Sequence, residues 1–193
     1  QVGLLGGNFN PVHLAHLVMA DQVQNQLGLD KVYLMPTYLP PHVDEKKTIS
    51  SEHRLAMLEL AVADNPCLDI EPIELIRKGK SYTYDTMKAL EEANPDTDYY
   101  FIIGGDMVEY LPKWHRIDDL LHLVQFVGIR RPNYPTESTY PIIWVDVPQM
   151  AISSTLIRQK VKSGCSTRYL LPENVINYIQ EKGLYQDELD NKL

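Results

Sequence analysis

The sequence has 193 residues, of which 44% are hydrophobic and 23% are charged, as is ordinary for a globular protein with a full hydrophobic core. We therefore expect a single domain over residues 1–193. The net charge of −8 argues against a general nucleic-acid binder, which needs a basic face. No apolar run is long enough to span a bilayer, and Cys67 and Cys165 are far apart and lack C-x-x-C partners, so we expect a cytoplasmic protein with reduced thiols and no membrane contact.

Hydrophobic periodicity alternates along the chain between the spacing of strands and the spacing of helices. Strands are predicted at residues 2–5, 31–35, 68–74, 99–103, 124–129 and 142–147. Helices are predicted at 14–27 with Gly28 as C-cap, from Ser50 or Ser51, from Thr83 or Asp85 to about Asn94, at 117–123, from Ser153 or Ser154 to about Gly164, and from Pro172 to Gly183. Residues 36–49 are predicted to form a loop. This order predicts a Rossmann-like, doubly wound α/β fold with a mostly parallel sheet, helices on both faces and ligands at the carboxyl ends of the strands.

The most specific motif lies between the first strand and the first helix and reads Gly7-x-Phe9-x-Pro11-x-His13-x-x-His16. Glycine lets the backbone turn sharply and approach a ligand, and the N-terminus of the following helix attracts phosphate. Two histidines three residues apart share a helix face, so both imidazoles can bind one anion. Ordinary packed histidines and a zinc site are the alternatives, but no cysteine or third histidine stands nearby at zinc-like spacing. The stretch matches neither the P-loop nor the dinucleotide fingerprint.

A second phosphate motif is predicted where the sequence Ile-Ser-Ser-Thr-Leu-Ile-Arg occupies residues 152–158. Ser153 and Ser154 begin a helix, so its free N–H groups and their hydroxyls point outward together. Arg158 follows Ser154 by four residues and shares its face, where a guanidinium is well matched to phosphate oxygens. Taken alone, the pattern also describes a capped surface helix with a solvated arginine.

Three further stretches are candidates for binding the rest of a nucleotide substrate. Residues 104–106 read Gly-Gly-Asp after a predicted strand and can hold a ribose, although a tight turn with Asp106 as a helix cap is the alternative. Trp114, in the string at 111–114, can stack on a pyridinium ring or pack in the core. Backbone N–H groups near Thr83 and Tyr84 can bind a carboxylate, or simply form a polar turn.

The two phosphate motifs together resemble the signatures of the nucleotidyltransferase superfamily with a His-x-x-His (more often His-x-Gly-His) motif. The strings at 81–86 and 111–114, with Gly-Leu-Tyr at 183–185, resemble those of bacterial nicotinate mononucleotide adenylyltransferases, and the likeness extends from Gly3 to Tyr185. The resemblance implies adenylyl transfer from ATP to nicotinate mononucleotide, forming nicotinate adenine dinucleotide and pyrophosphate in NAD biosynthesis. It implies ATP contacts from Gly6, Gly7, Phe9, His13, His16, His42, Gly104, Asp106, Arg131, Ser153, Ser154 and Arg158. It implies nicotinate mononucleotide contacts from Asn8, Thr83, Tyr84, Leu111, Lys113 and Trp114.

The attacking group in such a reaction is the mononucleotide's own phosphate oxygen, which is ionised near neutral pH. We therefore expect catalysis by positioning and charge neutralisation, with His13, His16 and Arg158 as catalytic residues. Mg²⁺ is the expected cofactor, held mainly by ATP phosphates and water, with no metal site built from protein side chains.

The sequence departs from the family pattern at two positions. The usual lysine after His42 is Val43, and Lys46 or Lys47 can replace it if the loop folds over the ligand. The usual glycine before the second histidine is Ala15, a small helix former with little expected consequence. Alternatives to the nicotinate reaction are a related adenylyltransferase that uses nicotinamide mononucleotide or phosphopantetheine, and a nucleotide sensor without catalysis. A homo-oligomer is compatible with the sequence.

Overall fold

The computed structural model describes residues 1–38, 49–80 and 82–186. Within these residues, six strands form one parallel sheet in the order β3-β2-β1-β4-β5-β6. The strands are β1 (Val2–Gly7), β2 (Lys31–Pro36), β3 (Leu68–Ile70), β4 (Tyr99–Gly104), β5 (Val124–Ile129) and β6 (Ile142–Val145). The Rossmann-like, doubly wound sheet expected from the alternating pattern is confirmed, and within these ranges it is parallel throughout.

Helices connect the strands and cover both faces of the sheet. They are α1 (Leu14–Leu27), α2 (Ser51–Val62), α3 (Ile73–Arg77), α4 (Thr83–Ala93), a 3₁₀ helix (Gly105–Lys113), α5 (Ile117–Leu120), α6 (Ser154–Lys162) and α7 (Glu173–Lys182). Gly28 and Gly183 end α1 and α7 in the left-handed conformation, each with φ of 61°, where glycine is favoured. One hydrophobic cluster contains residues of α1, α2, α6 and α7, and a second contains residues of α4 and the 3₁₀ helix.

The strand order reverses at β1, which pairs with β2 on one side and with β4 on the other. The chain therefore leaves the carboxyl ends of β1 and β4 toward opposite faces of the sheet, which opens a crevice between them. Gly7 ends β1 and Gly104 ends the neighbouring β4, so the first predicted motif and the Gly-Gly-Asp stretch meet at this edge. None of the helices in the described ranges is long and apolar enough to cross a membrane.

Several predicted boundaries are wrong, each for a local reason. The strand predicted at 68–74 ends at Ile70, because Pro72 lacks a backbone N–H and becomes the N-cap of α3. The strand predicted to reach residue 147 ends at Val145, opposite the last residue of its partner, Ile129. The helix predicted at 117–123 stops at Leu120, and the 3₁₀ helix was not predicted. Most of the loop predicted at 36–49 lies outside the described residues.

Candidate active site

The turn from β1 into α1, residues 6–13, forms the centre of the site and is called the β1–α1 turn below. Phe9 has a positive φ of 48° and is 2% exposed, so its ring folds back beneath the turn. A Cβ on Gly7 would lie 3.2 Å from that ring. An added methyl group would therefore require the Phe9 ring to shift slightly, and glycine allows the ring to pack closely against the turn.

His13 and His16 come together at the start of α1, as their spacing predicts. Their rings stack with centroids 3.7 Å apart, and the edge of Phe9 contacts His16 at a centroid distance of 4.8 Å. The backbone N–H of His13, the N-cap residue, donates to Nδ1 of His16 at 3.1 Å. Because Nδ1 of His16 accepts a hydrogen bond, the proton of its neutral ring is on Nε2, which can donate to a ligand.

Burial keeps both histidines uncharged near neutral pH. Loss of hydration lowers the pKa of His13 from 6.5 to about 4, and the side chain is 5% exposed. Burial also lowers the pKa of His16 well below 6.5, and the neighbouring His13 lowers it further, because two adjacent positive charges repel. Nδ1 of His13 has no hydrogen-bond partner among the described residues. In the free protein the two imidazoles are therefore neutral N–H donors. An anion bound beside them would stabilise the protonated, positively charged form of each ring.

The second motif packs directly against the β1–α1 turn. Ser153 caps α6, its hydroxyl accepting the Leu156 N–H at 3.1 Å, as predicted for one of the two serines. Ser154 Oγ donates to the carbonyl of Pro11 at 2.9 Å. Arg158 Nη1 donates to the carbonyl of Asn10 at 2.8 Å. These contacts bring together two motifs about 140 positions apart in sequence.

Arg158 differs from the open guanidinium that the sequence predicts. It is 2% exposed, and its Nη2 donates to Thr155 Oγ1 at 3.1 Å. Burial lowers the pKa of Arg158. The side chain supports the β1–α1 turn from within the protein, so its positive charge lies beneath that turn and not over an exposed helix end.

The residues predicted for adenosine gather at the ends of β4 and β5. Arg131 Nε lies 3.7 Å from Asp106 Oδ1, a partly exposed ion pair. A Cβ on Gly104 would lie 2.6 Å from that same oxygen, so glycine gives the carboxylate room beside the strand end. Gly105 is closely packed as well, since an added Cβ would lie 2.7 Å from the carbonyl of Ile129. The structure therefore brings Gly104, Asp106 and Arg131 together.

The residues predicted for the nicotinate ring lie around the N-terminus of α4. Thr83 begins this helix, and its N-cap residue makes no side-chain cap, which leaves backbone N–H groups there for a carboxylate. Trp114 is partly buried, with its ring edge-on to Phe101 and Phe126 at 6.0 and 5.8 Å. The Arg116 guanidinium lies 4.1 Å from the centre of the Tyr84 ring. This contact connects the stretch that follows Trp114 to α4.

The other two predicted site residues of the string at 111–114, Leu111 and Lys113, differ from each other in exposure. Leu111 is 0% exposed within the core, so its side chain has no surface for a ligand and any contact is limited to its backbone. Its carbonyl accepts the Trp114 N–H at 3.0 Å. Lys113 is exposed and lies 5.7 Å from the ring of Tyr110.

Sequence reasoning missed two residues that hold the β1–α1 turn. Arg54 is 1% exposed and donates to the carbonyl of Asn8 at 2.9 Å and to its Oδ1 at 3.2 Å. Tyr185 is 0% exposed, and its hydroxyl donates to Asn10 Oδ1 at 2.7 Å. A signal existed for Arg54, because it lies one turn before Leu58 on the face that α2 buries.

Part of the predicted site lies outside the described residues: His42, Val43, Lys46 and Lys47 all belong to residues 39–48. In the described ranges, no group of three or more histidine, cysteine, aspartate or glutamate side chains could hold a metal ion.

The fold and these motifs define an α/β nucleotidyltransferase. A family model described as cytidylyltransferase-like matches residues 4–160. A Streptococcus pneumoniae protein named "Probable nicotinate-nucleotide adenylyltransferase" is 64% identical over 96% of this chain and 88% of its own. A Streptococcus mutans protein of the same name is 63% identical over 96% of this chain and 89% of its own. The chain belongs to the nicotinate-nucleotide adenylyltransferases, a group within the cytidylyltransferase-like family.

The fold is also that of a distant solved structure. A Plasmodium falciparum nicotinic acid mononucleotide adenylyltransferase complexed with NaAD superposes with a TM-score of 0.80 at 18% identity, and the match covers 97% of this chain and 98% of that one. At this identity the likeness supports the fold alone.

Proposed function

We propose that this enzyme transfers the adenylyl group of ATP to nicotinate mononucleotide, forming nicotinate adenine dinucleotide and pyrophosphate in NAD biosynthesis. The observation that carries the proposal is the stacked His13–His16 pair at the start of α1, beside the point where strand order reverses, in a chain that belongs to the nicotinate-nucleotide adenylyltransferases. Helix N-termini and the carboxyl ends of parallel strands are established positions for phosphate and nucleotide binding.

The chemistry requires little from the protein beyond positioning and charge. An oxygen of the mononucleotide phosphate attacks the α-phosphorus of ATP, and the bond from that phosphorus to the oxygen bridging to the β-phosphate breaks. The electron pair leaves with pyrophosphate. No protein nucleophile or strong base is needed, because the attacking oxygen is already ionised. Catalysis then comes from alignment of two anions and stabilisation of the charge that develops.

His13 and His16 are the residues for this stabilisation. Both are neutral in the free protein, since burial lowers the pKa of each. A triphosphate beside them favours the charged imidazolium, because opposite charges at close range raise a histidine pKa. Binding of ATP should therefore draw protons onto the pair, and the hydrogen bonds from histidine to phosphate become charge-assisted.

The N-terminus of α6, with Ser153, Ser154 and Arg158, supplies further positive potential to the phosphates of ATP. Arg158 contributes from beneath the β1–α1 turn, and its contact to Asn10 holds that turn against α6. Mg²⁺ would arrive on the triphosphate and neutralise part of its charge. We expect the ion to be held mainly by ATP phosphates and water, because Mg²⁺ seldom needs a dedicated protein cage.

The two ends of the site favour different parts of the substrates. Asp106 and Arg131, an ion pair at the ends of β4 and β5, are the proposed contacts to the adenosine portion of ATP. The N–H groups at the start of α4, which have no side-chain cap from Tyr82, are the proposed contacts to the nicotinate carboxylate, and Trp114 is the proposed contact to its ring. Backbone donors favour a carboxylate over a neutral amide, because the amide's own NH₂ would face them unpaired.

Pyrophosphate release tests the proposal. Purified protein is given ATP and Mg²⁺ with nicotinate mononucleotide, nicotinamide mononucleotide or phosphopantetheine in separate reactions. Release with the nicotinate form alone is expected. Release with another acceptor contradicts the assigned acceptor, and ATP binding without release from any of the three supports a sensor in place of an enzyme.

The compartment is a separate proposal. Both cysteines, Cys67 and Cys165, are free thiols, a state that persists where glutathione keeps thiols reduced. We propose the cytoplasm, and cell fractionation with activity measured in each fraction tests it.

A further inference from the structure

Arg54 lies beneath the β1–α1 turn and connects three segments of the chain. Besides its two bonds to Asn8, its Nη1 donates to the carbonyl of Thr37 at 2.7 Å, and its Nη2 donates to Ser51 Oγ at 3.3 Å. Thr37 immediately follows β2, and its own N–H donates to the carbonyl of Gly7 at 2.9 Å. One guanidinium therefore ties α2 to the carboxyl ends of both β1 and β2.

The surroundings of Arg54 are unusual for a cation. The acceptors that the described residues offer it are neutral carbonyl, amide and hydroxyl oxygens. Loss of hydration lowers the pKa of this buried guanidinium. An apolar side chain would fill the same place on the buried face of α2 without that desolvation, so stability alone gives little reason for an arginine.

The contact also determines which half of the Asn8 amide a ligand can meet. Because Oδ1 accepts from Arg54, it faces the protein, and the NH₂ group is the part left to donate. Such donors match the oxygens of a phosphate or a sugar hydroxyl. Without Arg54, the amide is free to rotate and the Asn8 carbonyl loses its donor as well.

We infer that Arg54 is a positioning residue that acts through Asn8: it orients the Asn8 amide toward nicotinate mononucleotide. The inference rests on the proposed function, because its readout is the kinetics of that reaction. The buried guanidinium itself does not need to touch the substrate.

The test compares the Arg54→Lys, Arg54→Met and Asn8→Ala variants with the Arg54→Lys/Asn8→Ala double variant. Lysine keeps the charge but lacks the planar fork that reaches Asn8 and Thr37 together. We expect Arg54→Lys to lower kcat/KM for nicotinate mononucleotide about tenfold, with a much smaller change in KM for ATP. The double variant should lose no more than Asn8→Ala alone, because contacts that act as a unit are not additive.

Met57→Ala is the matched control for stability. Met57 is 0% exposed on the same helix, and its loss should lower Tm through a cavity while leaving both KM values unchanged. If Arg54→Met fails to fold, the Arg54→Lys cycle still decides the question. An unchanged kcat/KM for nicotinate mononucleotide in Arg54→Lys overturns the role of Arg54 and leaves the proposed function standing. Additive losses in the double variant have the same consequence. A wild-type protein without adenylyl transfer overturns the proposed function and this inference with it.

Discussion

Acid should destabilise the folded protein by protonating His13, and the loss of unfolding free energy can be calculated from the pKa of this residue. The folded pKa of His13 is about 4 and its ordinary value is 6.5, so the unfolded chain binds the proton more readily. The stabilisation is complete above about pH 6.5 and is lost as the pH falls toward 4. For this one group, linkage gives a loss of about 2 kcal/mol in the free energy of unfolding between pH 7 and pH 5. In a chain of this length that corresponds to a fall in Tm of roughly 4–8 °C.

The assay is thermal or urea unfolding at pH 7 and pH 5, for the wild type and for His13→Asn. Asparagine is a good N-cap and does not titrate, so the variant keeps the start of α1 while removing the effect. The wild type should lose about 2 kcal/mol more than the variant between the two pH values. The difference should be slightly larger still, because removing His13 also removes the repulsion that lowers the pKa of His16. The variant therefore loses less stability through His16 than the wild type does. Equal losses in the two proteins would refute a buried, neutral His13.

Three further predictions concern the site and its support. His16→Ala should reduce kcat by about 10²–10³ with little change in Tm, because a charge-stabilising donor is lost while the fold is not. Tyr185→Phe removes the hydroxyl that donates to Asn10 and should cost about 1 kcal/mol of stability, measured by urea unfolding. Gly105→Ala places a methyl group 2.7 Å from the carbonyl of Ile129 and should cost about 1–3 kcal/mol by the same method.

Each of these predictions has a result that contradicts it. Near-wild-type turnover in His16→Ala would remove His16 from the mechanism. A Tyr185→Phe protein with unchanged unfolding would show that its hydroxyl bond contributes nothing net. For Gly105→Ala the matched control is Gly6→Ala, where an added Cβ has its nearest contact at 3.6 Å, so equal stability losses at the two glycines would contradict the steric argument.

The convergence of the predicted motifs at one edge of the sheet could be predicted because their residues end strands and begin helices. Strand ends and helix starts carry local signals: the glycines that end β1 and β4, and the serine that caps α6. In a parallel sheet all strands end at one edge, so motifs distant in sequence must converge there. The roles assigned to individual residues by resemblance remain predictions, and His42 lies outside the described residues.

The support beneath the site was not predictable in the same way. Arg54 and Tyr185 act through hydrogen bonds to residues 46 and 175 positions away, and no local pattern encodes such partners. The burial of Arg158 follows from the packing of α6 against the β1–α1 turn. Sequence spacing correctly placed Arg158 on the face shared with Ser154, but it could not show whether that face met solvent or protein.

The sequence by itself determined the alternation of strands and helices, the parallel sheet and the sheet edge at which the candidate site lies, because hydrophobic period and capping residues are local properties. Tertiary structure alone decided the protonation state of the two histidines and the orientation of the Asn8 amide. Both depend on which atoms exclude water and donate hydrogen bonds from elsewhere in the chain. His13 is neutral because the folded protein buries it, and the Asn8 NH₂ is left for a ligand because Arg54 takes its oxygen.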